Sequence, residues 1–166
     1  TLTLMVGGDS THVVACRPAL DAVAATVFHM GPVGAGHAMK LVHNMILHSS
    51  FMATCEGLRL AERAGIDAKA AVDVLNAGNA RSFVTEVRFP RDILSGTMMG
   101  RSRIANLEKD LGLAQDFATR MEAHIPFGRL TRSVLGGAVS TGHAEKDFSW
   151  LFPLYDELTE DRKDER

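Results

Sequence analysis

Hydrophobic and polar positions follow two different periods along this chain, and the change of period divides it in two. Residues 1–34 hold two short β-type runs, TLTLMVGG and TVFHMG, on either side of a segment with helical spacing. From residue 36 onward almost every segment has the helical period. The pattern predicts a mainly α protein in which a β-α-β remnant, residues 1–34, precedes an all-α domain, residues 35–160, and a charged tail, residues 161–166.

The helical segment of the first part has its own start signal. Asp9 or Ser10 can cap it, and Pro18 inside it favours a helix that starts or kinks near the proline. A strand–helix–strand unit of this size cannot close a core by itself. We therefore expect this part to be the end of a domain that begins earlier.

The longest helix is predicted from His37 to Ala64, with Gly65 as its stop signal. A helix of that length spans about 42 Å and suits a spine between domains or subunits. Its apolar residues are spread around the whole circumference, so we expect its far side to be covered by a second copy of the chain. The sequence thus predicts a homodimer or a higher homo-oligomer.

Shorter helices follow. The spacing predicts Ala68–Asn76 capped by Asp67, a turn or two over Ser82–Val87, a new element at Pro90, an amphipathic helix over Leu107–Ala123, a helix from Pro126 to before Gly142, and a last one capped by Asp147 or Ser149. The amphipathic helix has an apolar stripe formed by Leu107, Leu111, Leu113, Ala114, Phe117, Ala118 and Met121.

Charge and cysteine content narrow the possible functions. The formal net charge is −2 without a basic run, so neither nucleic acid nor an anionic membrane surface is expected as a partner. There is no apolar run long enough for a membrane span, and no signal peptide opens the chain. Cys16 and Cys55 lack Cys or His partners at zinc-site spacing, so no metal is expected. Two buried, reduced thiols in a cytoplasmic protein are the expectation.

A glycine-rich stretch, GPVGAGHAMKLVHN, leads into the long helix at residues 31–44. It does not match a dinucleotide-binding G-x-G-x-x-G loop, because Met39 occupies the third glycine position. It does not match a phosphate-binding P-loop either, because Leu41 follows Lys40. We interpret the glycines as residues that let the backbone turn tightly and keep the helix start open to close approach.

Lys40 and Asn44 are four residues apart and share one face of this helix, with His37 and His48 extending the stripe. Two explanations of Lys40 stand side by side at this point. Its ammonium can reach water from a helix end, as lysines commonly do. Alternatively, it can be partly desolvated and exchange protons with a substrate, with Asn44 holding a substrate oxygen one turn away.

The stretch G-A-G-H-A-M-K-L-V-H-N resembles the G-x-G-x-x-x-K-x-x-x-N motif of the β-hydroxyacid dehydrogenases, the family of 3-hydroxyisobutyrate dehydrogenase and 6-phosphogluconate dehydrogenase. Three further stretches resemble family motifs in the same order. TLTLMVGGD is similar to the last strand of the nucleotide-binding domain, EKDLGLA to K-D-L-G-L-A, and GHAEKDFSWL to the closing G-x-x-x-x-D-x-S-x-L. The likeness covers nearly the whole chain.

The resemblance implies a C-terminal portion of such an enzyme, with residues 1–34 as the remnant of a Rossmann-type domain. It implies hydride transfer between NAD or NADP and a small β-hydroxyacid such as 3-hydroxyisobutyrate. By the same resemblance Lys40 is the general acid/base, and Asn44, Gly36 and Asp110 serve the substrate. Lys109 lies near the cofactor.

Some features depart from the family pattern or admit another explanation. The family's N-terminal half, with its glycine loop, is absent from the sequence; His43 stands where Asn is frequent, and Ser102 where Phe is. Lys109 and Asp110 can also be a solvated helix N-terminus in which Asp110 favours the helix dipole. The alternative function is a helical dimerisation module without catalytic activity.

Overall fold

The computed structural model describes residues 2–160, so the predicted charged tail, residues 161–166, lies outside the described part. The described residues are mainly helical with two parallel strands, which confirms the prediction of a mainly α protein. The chain forms two compact units, one ending at Asn44 and one beginning at Met45. Among residues 2–160 there is no helix long and apolar enough to cross a membrane.

The first unit contains a parallel pair of strands and one complete helix. β1 (Thr3–Val6) pairs with β2 (Thr26–His29), and α1 (Ser10–Val23) connects them. The Asp9 carboxylate caps α1 by accepting a hydrogen bond from the backbone N–H of Thr11 at 2.9 Å. The cap predicted at Asp9 or Ser10 is confirmed at Asp9. The alternative of a helix start near Pro18 is wrong, because α1 begins at Ser10 and includes the proline.

The long helix is α2 (Ala35–Arg63), 29 residues that close the first unit and continue into the second. Gly34 (φ 92°) stands before its start and Gly65 (φ 78°) follows its end, both in the left-handed region that favours glycine. The predicted helix was thus confirmed to within two residues at its start. After it come α3 (Ala68–Ala77), capped by the Asp67 carboxylate, and a π-helix, Val84–Leu94.

The π-helix corrects the prediction that Pro90 starts a new element, because the proline lies inside it. A proline in an α-helix removes the hydrogen bond to the carbonyl four residues earlier and pushes its ring against that carbonyl. In a π-helix the bonds run five residues back, so the carbonyl deprived of a donor is that of Thr85. The wider coil therefore accommodates a residue that the sequence pattern marks as a helix break.

The remaining helices of the second unit are α4 (Ile104–Arg120), α5 (Pro126–Ala138) with a π-helical turn at Val139–His143, a 3-10 turn (Phe148–Leu151) and α6 (Tyr155–Thr159). Asp147, and not Ser149, caps the 3-10 turn. The core of the unit is continuous and built around aromatic rings in contact. The Phe51 centroid lies 5.7 Å from that of Phe89, with the rings tilted, and 5.0 Å from that of Phe148, edge to face.

Two members of the predicted apolar stripe of α4 are not in the core. Leu113 is exposed because it lies on the side of α4 opposite the buried Ile104, Leu107 and Leu111, and Met121 is exposed because α4 ends before it, at Arg120. The cysteine prediction was half wrong: Cys16 is exposed on α1, whereas Cys55 is fully buried. Burial raises the pKa of the Cys55 thiol well above its usual value, which keeps it protonated.

Candidate active site

The start of α2 rests directly on the end of β1. A side chain at Gly36 would overlap the carbonyl oxygen of Met5, and one at Gly7 would lie 2.9 Å from the backbone nitrogen of Ala35. Both positions therefore require glycine so that strand and helix can approach each other. The sequence predicted that something could approach the start of α2 closely, and in the structure the end of β1 makes this approach.

Lys40 lies in the second turn of α2, and its side chain is exposed. The partial desolvation considered for this lysine is therefore not found in the described chain. Asn44 follows one helical turn later, so the two side chains project from the same side of α2. The exposed ammonium remains accessible to a ligand that approaches this face.

The amide of Asn44 is oriented by its neighbour. Nδ1 of His43 lies 3.1 Å from Oδ1 of Asn44. Because an amide oxygen only accepts, the ring nitrogen donates, which fixes the histidine tautomer with its proton on Nδ1. An amide NH2 group is a hydrogen-bond donor of the kind that suits a carboxylate or hydroxyl oxygen of a substrate.

Asp110 and His48 form a second polar group. Nε2 of His48, which is buried, lies 3.8 Å from Oδ2 of Asp110, and Nζ of Lys109 lies 3.7 Å from the other carboxylate oxygen. Both members of the EKDLGLA pair lie in the second turn of α4, since that helix starts at Ile104. The helix-dipole explanation for Asp110 is weakened by this, because that effect fades within the first turn.

The same stretch of α4 also binds an arginine of α5. Nε of Arg132 donates to Oε1 of Glu108 and its Nη1 to Oε1 of Gln115, each at 2.9 Å. The guanidinium lies over Gly112, where an added Cβ would be 3.0 Å from Nη2. The motif glycine is therefore required by helix packing between α4 and α5.

The sequence analysis did not predict the set of hydrogen bonds that surrounds the Asp147 carboxylate. The Asp147 carboxylate accepts hydrogen bonds from the backbone N–H groups of Gly100, Arg101 and Ser102 and from Ser149. Burial alone would raise the pKa of Asp147, but these hydrogen bonds outweigh it and hold the pKa below 3.8. The only sequence signal was the D-x-S spacing, which predicts a local cap and not the contacts with residues 100–102.

Few groups in the described part could hold a metal. Among residues 2–160 there is no cluster of three or more His, Cys, Asp or Glu side chains with that geometry. The first unit presents an exposed ammonium, that of Lys40, and a cation of this kind suits an organic anion.

Comparison with known proteins agrees with the sequence motifs. Residues 34–155 match the family described as NAD-binding of NADP-dependent 3-hydroxyisobutyrate dehydrogenase. Among curated relatives, an NAD-dependent L-serine dehydrogenase of Pseudomonas aeruginosa is 32% identical over 94% of this chain and 54% of its own length. The mitochondrial 3-hydroxyisobutyrate dehydrogenase of Mus musculus is 33% identical over 91% of this chain and 47% of its own.

The fold agrees as well. A Mycobacterium tuberculosis 3-hydroxyisobutyrate dehydrogenase structure with L-serine superposes with a TM-score of 0.85 at 29% identity, over 93% of this chain and 55% of that one. The chain thus spans about half the length of the relatives it matches. The predicted cofactor class, NAD or NADP, is confirmed at the level of the family. The chain belongs to the 3-hydroxyisobutyrate dehydrogenase family of NAD-binding dehydrogenase domains.

Proposed function

We propose that this chain is the C-terminal part of an NAD(P)-dependent oxidoreductase that transfers hydride between the nicotinamide and a small β-hydroxyacid. The observation that carries this is the pair at the start of α2, exposed Lys40 with half-buried Asn44 one turn away, on a chain of this family. An amine and an amide donor on one helix face are the groups needed to exchange a proton with a hydroxyl and to bind the same molecule's oxygens.

In the oxidising direction, Nζ of Lys40 accepts the proton of the substrate hydroxyl once its ammonium has given up a proton. A nicotinamide bound in the full-length enzyme would supply the hydride acceptor for the carbinol hydrogen, so that the alcohol becomes a carbonyl. Asn44 donates its NH2 group to a substrate oxygen, with His43 fixing the amide. Asp110 belongs to the substrate side and Lys109 to the cofactor side in this proposal.

The substrate class is proposed from the relatives' names. L-Serine and 3-hydroxyisobutyrate both carry a hydroxyl on the β carbon of a carboxylic acid, and relatives named for each match this chain. A panel of β-hydroxyacids that includes these two is the appropriate first assay, with NAD and NADP each tested.

The experiment that tests the catalytic assignment compares two variants in the full-length enzyme. Lys40→Ala should lower kcat by about 10²–10⁴, the usual contribution of a positioned proton donor, and leave cofactor binding nearly intact. Lys40→Arg keeps the charge but cannot give up its proton, so it should be equally impaired. Near-normal turnover in either variant would contradict the acid/base role. Asn44→Ala should mainly raise KM.

We also propose that the chain forms a homodimer through α2 and α5. Ile46 on α2 and Phe127 and Leu130 on α5 are 59%, 79% and 67% exposed. They line a groove of about 1010 Å³ between these helices. Large apolar side chains grouped in this way are commonly covered by a partner, and an obligate dimer interface would bury more than about 2,000 Å².

Sedimentation at low micromolar concentration tests the dimer. Phe127→Glu should shift the chain to a monomer, because it places a charge in the proposed interface. Val14→Glu is the matched control, since Val14 is 71% exposed on α1 and is not one of the residues that line the groove. A folded wild-type monomer of 18.0 kDa would refute the proposal.

A further inference from the structure

Helix α4, which carries Lys109 and Asp110, begins without a side-chain cap. Its N-cap residue is Arg103, and that side chain makes no capping hydrogen bond. Two of the N–H groups that a helix start leaves without partners are instead satisfied by a distant segment. Ile104 N–H donates to the carbonyl of Lys146 at 2.9 Å, and Ala105 N–H donates to that of Ala144 at 3.0 Å. The segment 144–147 therefore sets where α4 starts.

Asp147 joins this segment to the turn that leads into α4. Its Oδ1 accepts from Gly100 N–H at 2.9 Å, and its Oδ2 accepts from Arg101 N–H at 2.8 Å and from Ser102 N–H at 3.3 Å. On the other side Oδ1 accepts from the Ser149 N–H at 3.0 Å and hydroxyl at 2.7 Å. One carboxylate thus binds both segments through five donors.

The turn has a backbone that needs such support. Met98 (φ 48°) and Arg101 (φ 65°) adopt left-handed conformations that side-chain-bearing residues rarely take. Gly100 lies against the ring of Phe148, which occupies the space that a Cβ would need. Sparsely populated conformations persist only where surrounding contacts enforce them, and they concentrate at functional sites.

We propose that Asp147 is a positioning residue for the reaction: by holding the turn at residues 100–102, it sets the start of α4 and with it the placement of Lys109 and Asp110. This proposal rests on the proposed function, since it assigns those two side chains to the cofactor and the substrate. In this proposal Asp147 itself binds neither the cofactor nor the substrate.

Asp147→Asn is the selective variant. The amide has one oxygen where the carboxylate has two, so in either orientation its NH2 group faces two backbone N–H donors. With the NH2 group at the Oδ2 position, Arg101 and Ser102 lose their acceptor. With it at the Oδ1 position, Gly100 and the Ser149 N–H lose theirs. The turn loses at least one hydrogen bond either way.

Amide hydrogen exchange of this chain tests the first half of the proposal. Asp147→Asn should speed the exchange of amides 100–105 by about 10-fold or more while the core amide of Leu111 keeps its protection. Two controls remove neighbouring contacts: Ser149→Ala deletes one donor to Asp147, and Arg103→Ala deletes the exposed ion pair with Glu145. Neither should change exchange in the turn. Unchanged exchange at 100–105 in Asp147→Asn would overturn the proposal.

Kinetics of the full-length enzyme test the second half. Asp147→Asn should raise KM for both hydroxyacid and cofactor by about 10-fold, since misplaced binding groups cost rate steeply. At saturation kcat should stay within about twofold, because Lys40 lies on α2. Kinetics of Asp147→Asn equal to those of Ser149→Ala would show a merely structural role and overturn the proposal. A wild-type enzyme without turnover would instead refute the proposed function, whatever the exchange shows.

Discussion

The side-chain amide of Asn76 donates a hydrogen bond to the backbone carbonyl of Thr85 at 3.0 Å. Thr85 is almost fully buried, and its carbonyl is the one that Pro90 leaves without a donor in the π-helix. Asn76, from α3, thus replaces the N–H group that the proline lacks. A contact between two helices makes the proline tolerable.

The first prediction is a double-mutant cycle on this replacement. Asn76→Ala should lower the free energy of unfolding by about 1–3 kcal/mol, because a buried carbonyl loses its partner. Pro90→Ala restores a backbone donor, so in that background Asn76→Ala should lower the free energy of unfolding by clearly less. Urea denaturation of the four proteins measures the coupling. Strictly additive costs would show that Asn76 does not compensate for Pro90.

The second prediction concerns His43. Because its Nδ1 donates to the Asn44 amide oxygen, His43→Phe should remove that hydrogen bond, whereas His43→Asn offers a replacement donor. We expect His43→Phe to raise the hydroxyacid KM by about threefold to 10-fold, the usual worth of one hydrogen bond, and to leave the cofactor KM unchanged. Steady-state kinetics decide, and equal KM values for the two variants would contradict an orienting role.

The third prediction separates two glycines in neighbouring helices. Gly112→Ala should destabilise the chain by about 1–3 kcal/mol, because the added methyl group meets the Arg132 guanidinium. Gly137→Ala, in α5, has open space for the same methyl group and should be neutral or stabilising by up to about 1 kcal/mol. Thermal unfolding of both variants is the measurement. Similar changes in Tm would mean that Arg132 moves aside without cost.

The fourth prediction concerns acid. Asp92 is 1% exposed, and although burial acts to raise its pKa, hydrogen bonds from Arg91 and Arg88 outweigh burial and lower it below 3.8. A carboxyl with a lowered folded-state pKa stabilises the fold fully above the unfolded value, near 3.8, and loses that contribution as pH falls through the lower folded value. Wild-type stability should therefore decline below about pH 4.

Asp92→Asn is the matched variant for that measurement. It should be less stable than wild type by about 2 kcal/mol at neutral pH, because two arginines lose a charged acceptor. Urea midpoints taken from pH 6 to pH 2.5 should converge as the pH falls, since wild-type Asp92 becomes neutral too. A stability difference between wild type and Asp92→Asn that stays constant over this pH range would contradict a lowered pKa of Asp92.

Predictions from the sequence succeeded where the deciding contacts are local. The Asp67 cap of α3 and the Gly65 stop of α2 depend on residues within one turn, as does the spacing that puts Lys40 and Asn44 on one side. Predictions failed where a distant segment decides. The start of α4 depends on carbonyls at residues 144 and 146, which is why α4 begins at Ile104 and not at Leu107 as predicted.

In the candidate site, too, features that depend on local spacing were predictable and contacts between distant residues were not. The lysine motif is readable because its members are one turn apart, and its roles came from resemblance to a family. His48 and Asp110 are far apart in sequence, so their 3.8 Å contact has no sequence signal. The sequence could not decide between an exposed and a partly desolvated Lys40 either, since helical periodicity says which residues share a face but not what covers that face.

The close contact between Gly36 and the end of β1 has a practical consequence for protein engineering. A chimera that joined a foreign nucleotide-binding half to this chain at residue 34 would have to supply a strand end matching Gly7, or the helix start would collide with it. The boundary suggested by the hydrophobic pattern is therefore a poor place to cut. A crossover placed before Thr3 would carry β1, Gly7 and the start of α2 together and keep their contact intact.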